Sequence, residues 1–152
     1  MIPFFAAEKT LGKLAKWLRL LGFDTLYEPG IATEEFIENL ENDRILLTRT
    51  QRIRKQSPGC KLIFVQSDHW DAQLMQIILE LGLTAAQIRP FSRCLHCNVP
   101  IVAAEKNSLR GRVPDYIFET HEYFQRCPKC NSIYWPGTHT KRSLGKIREF
   151  FN

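Results

Sequence analysis

Two Cys-x-x-Cys pairs constrain this chain more than any other feature. Cys94-Leu95-His96-Cys97 and Cys127-Pro128-Lys129-Cys130 are separated by 29 residues. Each pair puts two sulfurs on one tight knuckle, and two knuckles together supply a tetrahedral four-sulfur site that suits zinc. Asn98 and Asn131 follow the pairs. A knuckle turn often needs a positive φ there, which Asn tolerates better than any residue but Gly. Four thiolates close the coordination shell, so the zinc is read as structural, with no open position for catalysis. Two disulfides, or a redox motif used twice, are the competing readings. Met1-Ile2-Pro3-Phe4-Phe5-Ala6-Ala7 lacks the basic region and long apolar run of a signal peptide, so the chain reads as cytosolic, where disulfides are rare. Cys60 reads as a small core hydrophobe, and His96 as solvent-facing rather than a fifth ligand.

The rest of the chain is built to fold around a core. Of 152 residues, 44% are hydrophobic and 24% charged, which excludes a disordered or collagenous protein. No apolar stretch reaches the ~20 residues of a spanning helix, so no membrane role is expected. Residues 1–88 alternate short apolar runs with helical periodicity, the pattern of a parallel α/β sheet. Strands are expected at 3–7, 23–27, 44–48 and 61–65. Helices are expected from Thr10 to Leu21, from a Thr33 cap to about Asn42, and from a Ser67 or Asp68 cap to Gly82. Between strands three and four lie a short basic segment, Arg49 to Lys55, and a Ser57-Pro58-Gly59 turn. The second domain, residues 89–152, carries the cysteines, with strands expected near 113–118 and at 132–135.

In an open α/β sheet, ligands bind at the carboxyl ends of the strands. Glu8, Thr48-Arg49-Thr50 and Ser67-Asp68 fall there, and Glu34 and Glu35 open the second helix beside them. Converging carboxylates favour a hard cation such as Mg²⁺ or Mn²⁺, which polarises a phosphate and activates a water. Taken singly, Glu34 and Glu35 are equally explained by the helix dipole and Asp68 by capping.

Charge points toward a polyanion. Residues 1–50 hold six Lys/Arg against eight Asp/Glu, whereas residues 51–152 hold fifteen against eight. Lys9, Lys13 and Lys16 form one stripe on the first helix, Arg49, Arg52, Arg54 and Lys55 a second cluster, and Lys141, Arg142, Lys146 and Arg148 a third. They suit either phosphate contacts or a solvated surface. Tyr134, Trp135 and His139 suit either base stacking or packing on the zinc module.

The run from Leu11-Gly12-Lys13-Leu14-Ala15-Lys16-Trp17-Leu18-Arg19-Leu20-Leu21-Gly22 through Phe23-Asp24 resembles the opening signature of the Mut-seven C-terminal RNase family. Ile45-Leu46-Leu47-Thr48-Arg49, Arg93-Cys94-Leu95-His96-Cys97-Asn98 and Tyr134-Trp135-Pro136-Gly137-Thr138-His139 are similar to its later signatures, in the same order. The resemblance implies a three-layer PIN-like parallel-sheet domain followed by a small zinc ribbon. It also implies cleavage of RNA by acidic residues and a divalent metal. Glu8 stands where the family usually has Asp, and Thr50 where it usually has another. Glu34 or Glu35 fills the acidic place on the second helix, and Asp68 or Asp71 a later one.

The leading expectation is a Mg- or Mn-dependent endoribonuclease. Glu8 and Glu35 would be metal ligands, Asp68 would assist, and Thr50 would replace one carboxylate. RNA would be held by Lys9, Lys13, Lys16, Arg49, Arg52, Lys141 and Arg142. The alternative is a catalytically inactive RNA-binding or regulatory module of the same fold. A third reading, an interaction adaptor built on the zinc ribbon, predicts no salt-dependent RNA binding.

Overall fold

The computed structural model describes residues 1–41, 43–56 and 59–152. Asn42, the expected end of the second helix, and Ser57-Pro58 of the expected turn lie outside the described residues. The chain divides into two compact units, Met1–Phe91 and Ser92–Asn152.

The first unit is a mixed α/β structure on a four-stranded parallel sheet. Its strands are β1 (Phe4–Ala7), β2 (Thr25–Leu26), β3 (Arg44–Thr48) and β4 (Leu62–Phe64), in the order β2-β1-β3-β4. Central strands of a parallel sheet are covered on both faces and read as unbroken apolar runs. Phe5, Ala6 and Ala7 of β1 and Ile45, Leu46 and Leu47 of β3 are accordingly buried. The strand order reverses direction between β1 and β3, which makes their carboxyl ends the switch point where ligands of such sheets bind.

Three helices connect the strands, α1 (Gly12–Leu20), α2 (Thr33–Glu38) and α3 (Gln51–Gln56), and a fourth, α4 (Trp70–Leu81), follows β4. On α1, Leu14, Ala15 and Leu18 recur at helical spacing and are buried, while Lys13 and Lys16 are exposed. Gly22 follows α1 at φ 96°, and a β-carbon there would stand 2.5 Å from the carbonyl oxygen of Arg89. Only glycine fits. The amides of Arg89 and Phe91 donate to the carbonyls of Leu21 and Leu20, tying the end of this unit to the end of α1. Trp17 of α1 stacks on Trp70 of α4, with ring centroids 4.4 Å apart.

Several local expectations need correction. The second strand pairs only at Thr25–Leu26. Ala32, not Thr33, precedes α2, and His69 rather than Ser67 or Asp68 precedes α4, with no side-chain cap on either. Ser67 instead accepts the His69 amide at 3.0 Å. The basic segment after β3 is helical, because buried Ile53 anchors it while Arg52, Arg54 and Lys55 point outward.

The second unit holds a three-stranded antiparallel sheet, β5 (Val102–Ala104), β6 (Phe124–Arg126) and β7 (Ile133–Tyr134), in sequential order. Its helices are α5 (Asp115–Thr120) and α6 (Thr138–Phe151). Leu109, Val113, Ile117, Phe118 and Phe124 form its core, with Ala104, Ile133 and Trp135 packed against it. The strand expected near 113–118 is therefore wrong. Pro114 sets the helix start, Asp115 suits the first turn, and Val113 and Ile117 are four residues apart, a helical rather than alternating spacing. The sequence reading expects no helix where α6 lies.

Candidate functional site

Glu8 is the residue that the fold places most decisively. It directly follows β1, and its amide donates to the Leu47 carbonyl at 3.1 Å, extending the β1–β3 ladder to the switch point. Its side chain is 2% exposed. A buried carboxylate is tolerated only when its oxygens are hydrogen-bonded or paired. Here Oε1 accepts from Thr10 Oγ1 at 2.9 Å, the Arg49 amide at 3.1 Å and Thr50 Oγ1 at 3.0 Å. Thr50 Oγ1 also lies 2.9 Å from Oε2. The Thr50 amide in turn donates to Thr48 Oγ1 at 3.0 Å, which bends the chain leaving β3 toward Glu8. The parallel pairing Ala7↔Leu47 brings these groups together from 42 residues apart.

The other acidic candidates are exposed, whereas Glu8 is buried. Glu34 is exposed and paired with Arg52, whose guanidinium, with Glu34's own amide, holds that carboxyl below its ordinary value. Glu35 is exposed. Asp68 is exposed 3.4 Å from His69 Nε2, and Asp71 accepts the Ala72 amide at 2.9 Å. Among the described residues no three carboxylates or histidines converge; the single group of potential ligands is the four cysteines. Mg²⁺ and Mn²⁺ sites need open oxygen ligands and usually one or two carboxylates in near-octahedral array. Glu8 Oε1 is already taken by three donors, and among the described residues no group of three carboxylates or histidines converges on it, so an ion there would have to displace those donors.

Of the expected RNA-contacting cations, Lys9, Lys13, Lys16, Arg49, Arg52, Lys141 and Arg142 are all exposed. Several are internally engaged: Lys13 lies 5.4 Å from the Trp70 ring, and Arg49 donates to the Gln66 carbonyl at 3.4 Å. Thr10 was missed by sequence reasoning, although a hydroxyl two residues past a strand-end carboxylate is a recognisable turn signal.

The cysteines do converge. All four sulfurs lie within 4.8 Å of one another, and Cys94 and Cys130 are 3.7 Å apart. That distance matches the edge of a tetrahedron with metal–sulfur bonds of about 2.3 Å. The two knuckles are built alike. The amides of Asn98 and Asn131 donate to the carbonyls of Cys94 and Cys127 at 2.9 Å, and both Asn residues have positive φ, 66° and 61°. The amides of Cys97 and Cys130 each approach the sulfur of the first cysteine of their pair at 3.4 Å. The site can hold one metal ion such as zinc.

Without a metal, lost hydration and the neighbouring sulfurs push the Cys97 thiol up to about 12. Ser132, through its side chain and backbone, draws Cys130 down to about 6. The Tyr134 hydroxyl donates to Cys94 Sγ at 3.1 Å, and Trp135 packs on the core 6.4 Å from Phe124, so both aromatics serve this unit's interior. His139 is exposed. Cys60 is half-buried against the first unit's core, and burial raises its thiol; His96 is exposed.

A parallel α/β unit with a carboxylate at its switch point is followed by a four-cysteine unit that could hold a metal ion. The Mut7-C RNAse domain matches residues 3–147, and the chain belongs to that family. Neither the curated proteins nor the solved structures include a match. Family membership suggests a nuclease-like role and RNA as the partner. No helix among the described residues is long and apolar enough to cross a membrane.

Proposed function

We propose that this chain is an RNA-binding member of its RNase family in which the carboxylate site is held closed. The observation that carries the reading is the Glu8 cluster. Its buried carboxylate is satisfied by Thr10, Arg49 and Thr50, and among the described residues no group of three carboxylates or histidines converges there. Thr50 donates its hydroxyl to Glu8, which satisfies the carboxylate without supplying a counter-charge. RNA is held by exposed cations through its phosphates, so binding weakens steeply with salt. The reading includes PIN-like layering of the first unit, structural zinc on Cys94, Cys97, Cys127 and Cys130, and a cytosolic setting that keeps the thiols reduced.

The second reading is the Mg- or Mn-dependent endoribonuclease, with Glu8 and Glu35 as ligands, Asp68 assisting and Thr50 beside them. The burial of Glu8 at the β1/β3 switch point favours it, since an ionisable group in that position is where sheets of this kind place function.

Incubating labelled single-stranded and hairpin RNA with the zinc-loaded chain in Mn²⁺, Mg²⁺ or EDTA separates the two. The expected outcome is salt-sensitive binding with no cutting in any condition. Metal-dependent cutting that Glu8→Gln abolishes would establish the endoribonuclease instead. Undetectable binding at low salt would defeat both readings.

A further inference from the structure

The cations of the first unit and those of helix α6 are used differently. Met1–Phe91 carries eleven Lys/Arg and eleven Asp/Glu, a net charge of zero; Ser92–Asn152 carries ten against five. The protein's whole excess of +5 thus sits in the second unit. In the first unit most arginines are consumed internally. Arg19 donates to the Thr25 carbonyl, Arg44 pairs with Asp24, Arg52 pairs with Glu34, and Arg54 lies on the Phe64 ring.

Helix α6 is the opposite case. Thr140, Leu144, Ile147 and Phe151 recur at spacings of four, three and four and form its more buried side. Lys141, Arg142, Lys146 and Arg148 project from the other side and are exposed. Lys146 contacts Glu149 at 3.5 Å, whereas the side chains of Lys141, Arg142 and Arg148 have no partner among the described residues. Lys141 and Arg148 lie two turns apart, about 10 Å along the axis.

Gly145 sits in the middle of this basic face. Interior glycine costs a helix roughly 1 kcal/mol relative to Ala. Nothing lies within 4 Å of where its β-carbon would be, so packing does not require a glycine there. A bare stretch of helix between unpaired cations is what a sugar–phosphate strand needs to approach the backbone closely.

We infer that the exposed face of α6, with Arg142, Arg148 and Lys141 around Gly145, is the principal binding strip for the RNA sugar–phosphate backbone, read without base sequence. This rests on the RNA-binding reading above and assigns its site. Each phosphate contact on a single strand contributes a slope of about 0.7 in log K against log salt. Removing two of them is worth about 25-fold in affinity at 0.1 M salt relative to the 1 M limit.

The test uses the full zinc-loaded chain and a fluorescein-labelled mixed-sequence single-stranded RNA, titrated at several salt concentrations. Arg142→Gln/Arg148→Gln is expected to bind about 25-fold more weakly at 0.1 M salt, with the slope reduced by about 1.4. Gly145→Gln keeps every charge and improves helix propensity, so it should melt no earlier than the parent yet lose at least tenfold in affinity. Zinc content and melting temperature check that each variant is folded. If both variants bind like the parent while Lys9→Gln/Lys16→Gln loses the affinity, the strip is not α6 and RNA binding itself stands. If the parent binds no RNA but sediments with anionic vesicles, the RNA-binding reading falls and the strip's assignment with it.

Discussion

The two units solve the problem of stability by different means. Among the described residues, Met1–Phe91 buries 22 hydrophobic side chains, whereas Ser92–Asn152 buries eight, two of them cysteines. The first therefore owns a core sufficient for a parallel sheet, with Phe5, Leu14, Leu46, Leu74 and Ile77 fully enclosed. The second packs five residues under a sheet of two- and three-residue strands, too little apolar area for a unit of that size to stand on burial alone. Four converged sulfurs that could hold a metal ion offer a source for the stability it lacks. The same division runs through the charges. In the first unit Arg19, Arg44, Arg52 and Arg54 are internally engaged, whereas on α6 of the second Lys141, Arg142 and Arg148 face solvent.

The sharpest way to break this comparison is to remove the metal. Apparent binding energies of structural zinc are on the order of 10 kcal/mol. Chelation, or Cys94→Ser/Cys127→Ser, should unfold residues 92–152 while the sheet unit keeps its protection. Hydrogen exchange read by mass spectrometry, peptide by peptide, reports the two halves separately. Elemental analysis of freshly purified protein should find about one zinc per chain. Loss of protection across both units in one transition would show that they are not independent.

How much of this was legible beforehand depended on the range of the interactions. Arg44–Thr48 is a strand over the expected residues because an apolar run bounded by charged residues is local information. The knuckles, down to the positive φ of both Asn residues, follow from the Cys-x-x-Cys spacing and the Asn after each pair. Val113–Phe118 misled because a short apolar run fits strand or helix until Pro114 and the spacing of Val113 and Ile117 are weighed together. Helix α6 was hidden by its exposed cations and by Gly145. At the site, a carboxylate after a strand was readable in Glu8. Its closure by Thr50 was not, since that depends on the register of β1 against β3 across 42 residues.

That closure gives the second prediction, inside the stable unit. A hydrogen bond to a buried charged group is worth about 1.5–3 kcal/mol. Thr50→Val removes a hydroxyl that touches both oxygens of Glu8 and should destabilise the chain by about that much, whereas Thr50→Ser should recover most of it. Urea unfolding of the zinc-loaded protein, followed by a signal from the first unit, measures the difference. Equal midpoints for the parent and Thr50→Val would mean that Glu8 is satisfied without Thr50, which removes the ground for calling its site closed.

The smallest effect tests whether the first unit's cations are really spent. Arg52, donating to Glu34, holds that carboxyl below its ordinary value of 4.5. A lowered folded value means that the pair favours the folded state at pH above the ordinary value. The contribution fades as pH falls through the folded one. Both side chains are more than half exposed, so solvent screens the pair and the stability change will be slight. The titration is the better observable. In carboxyl-carbon NMR, Glu34 should titrate below the ordinary glutamate value and move up toward it in Arg52→Gln. Adding RNA should leave the Glu34 midpoint where it was, because α6 rather than α3 takes the phosphates. An upward shift with RNA would mean that Arg52 leaves Glu34 for a phosphate, and the charge contrast between the two units would no longer decide where RNA lies.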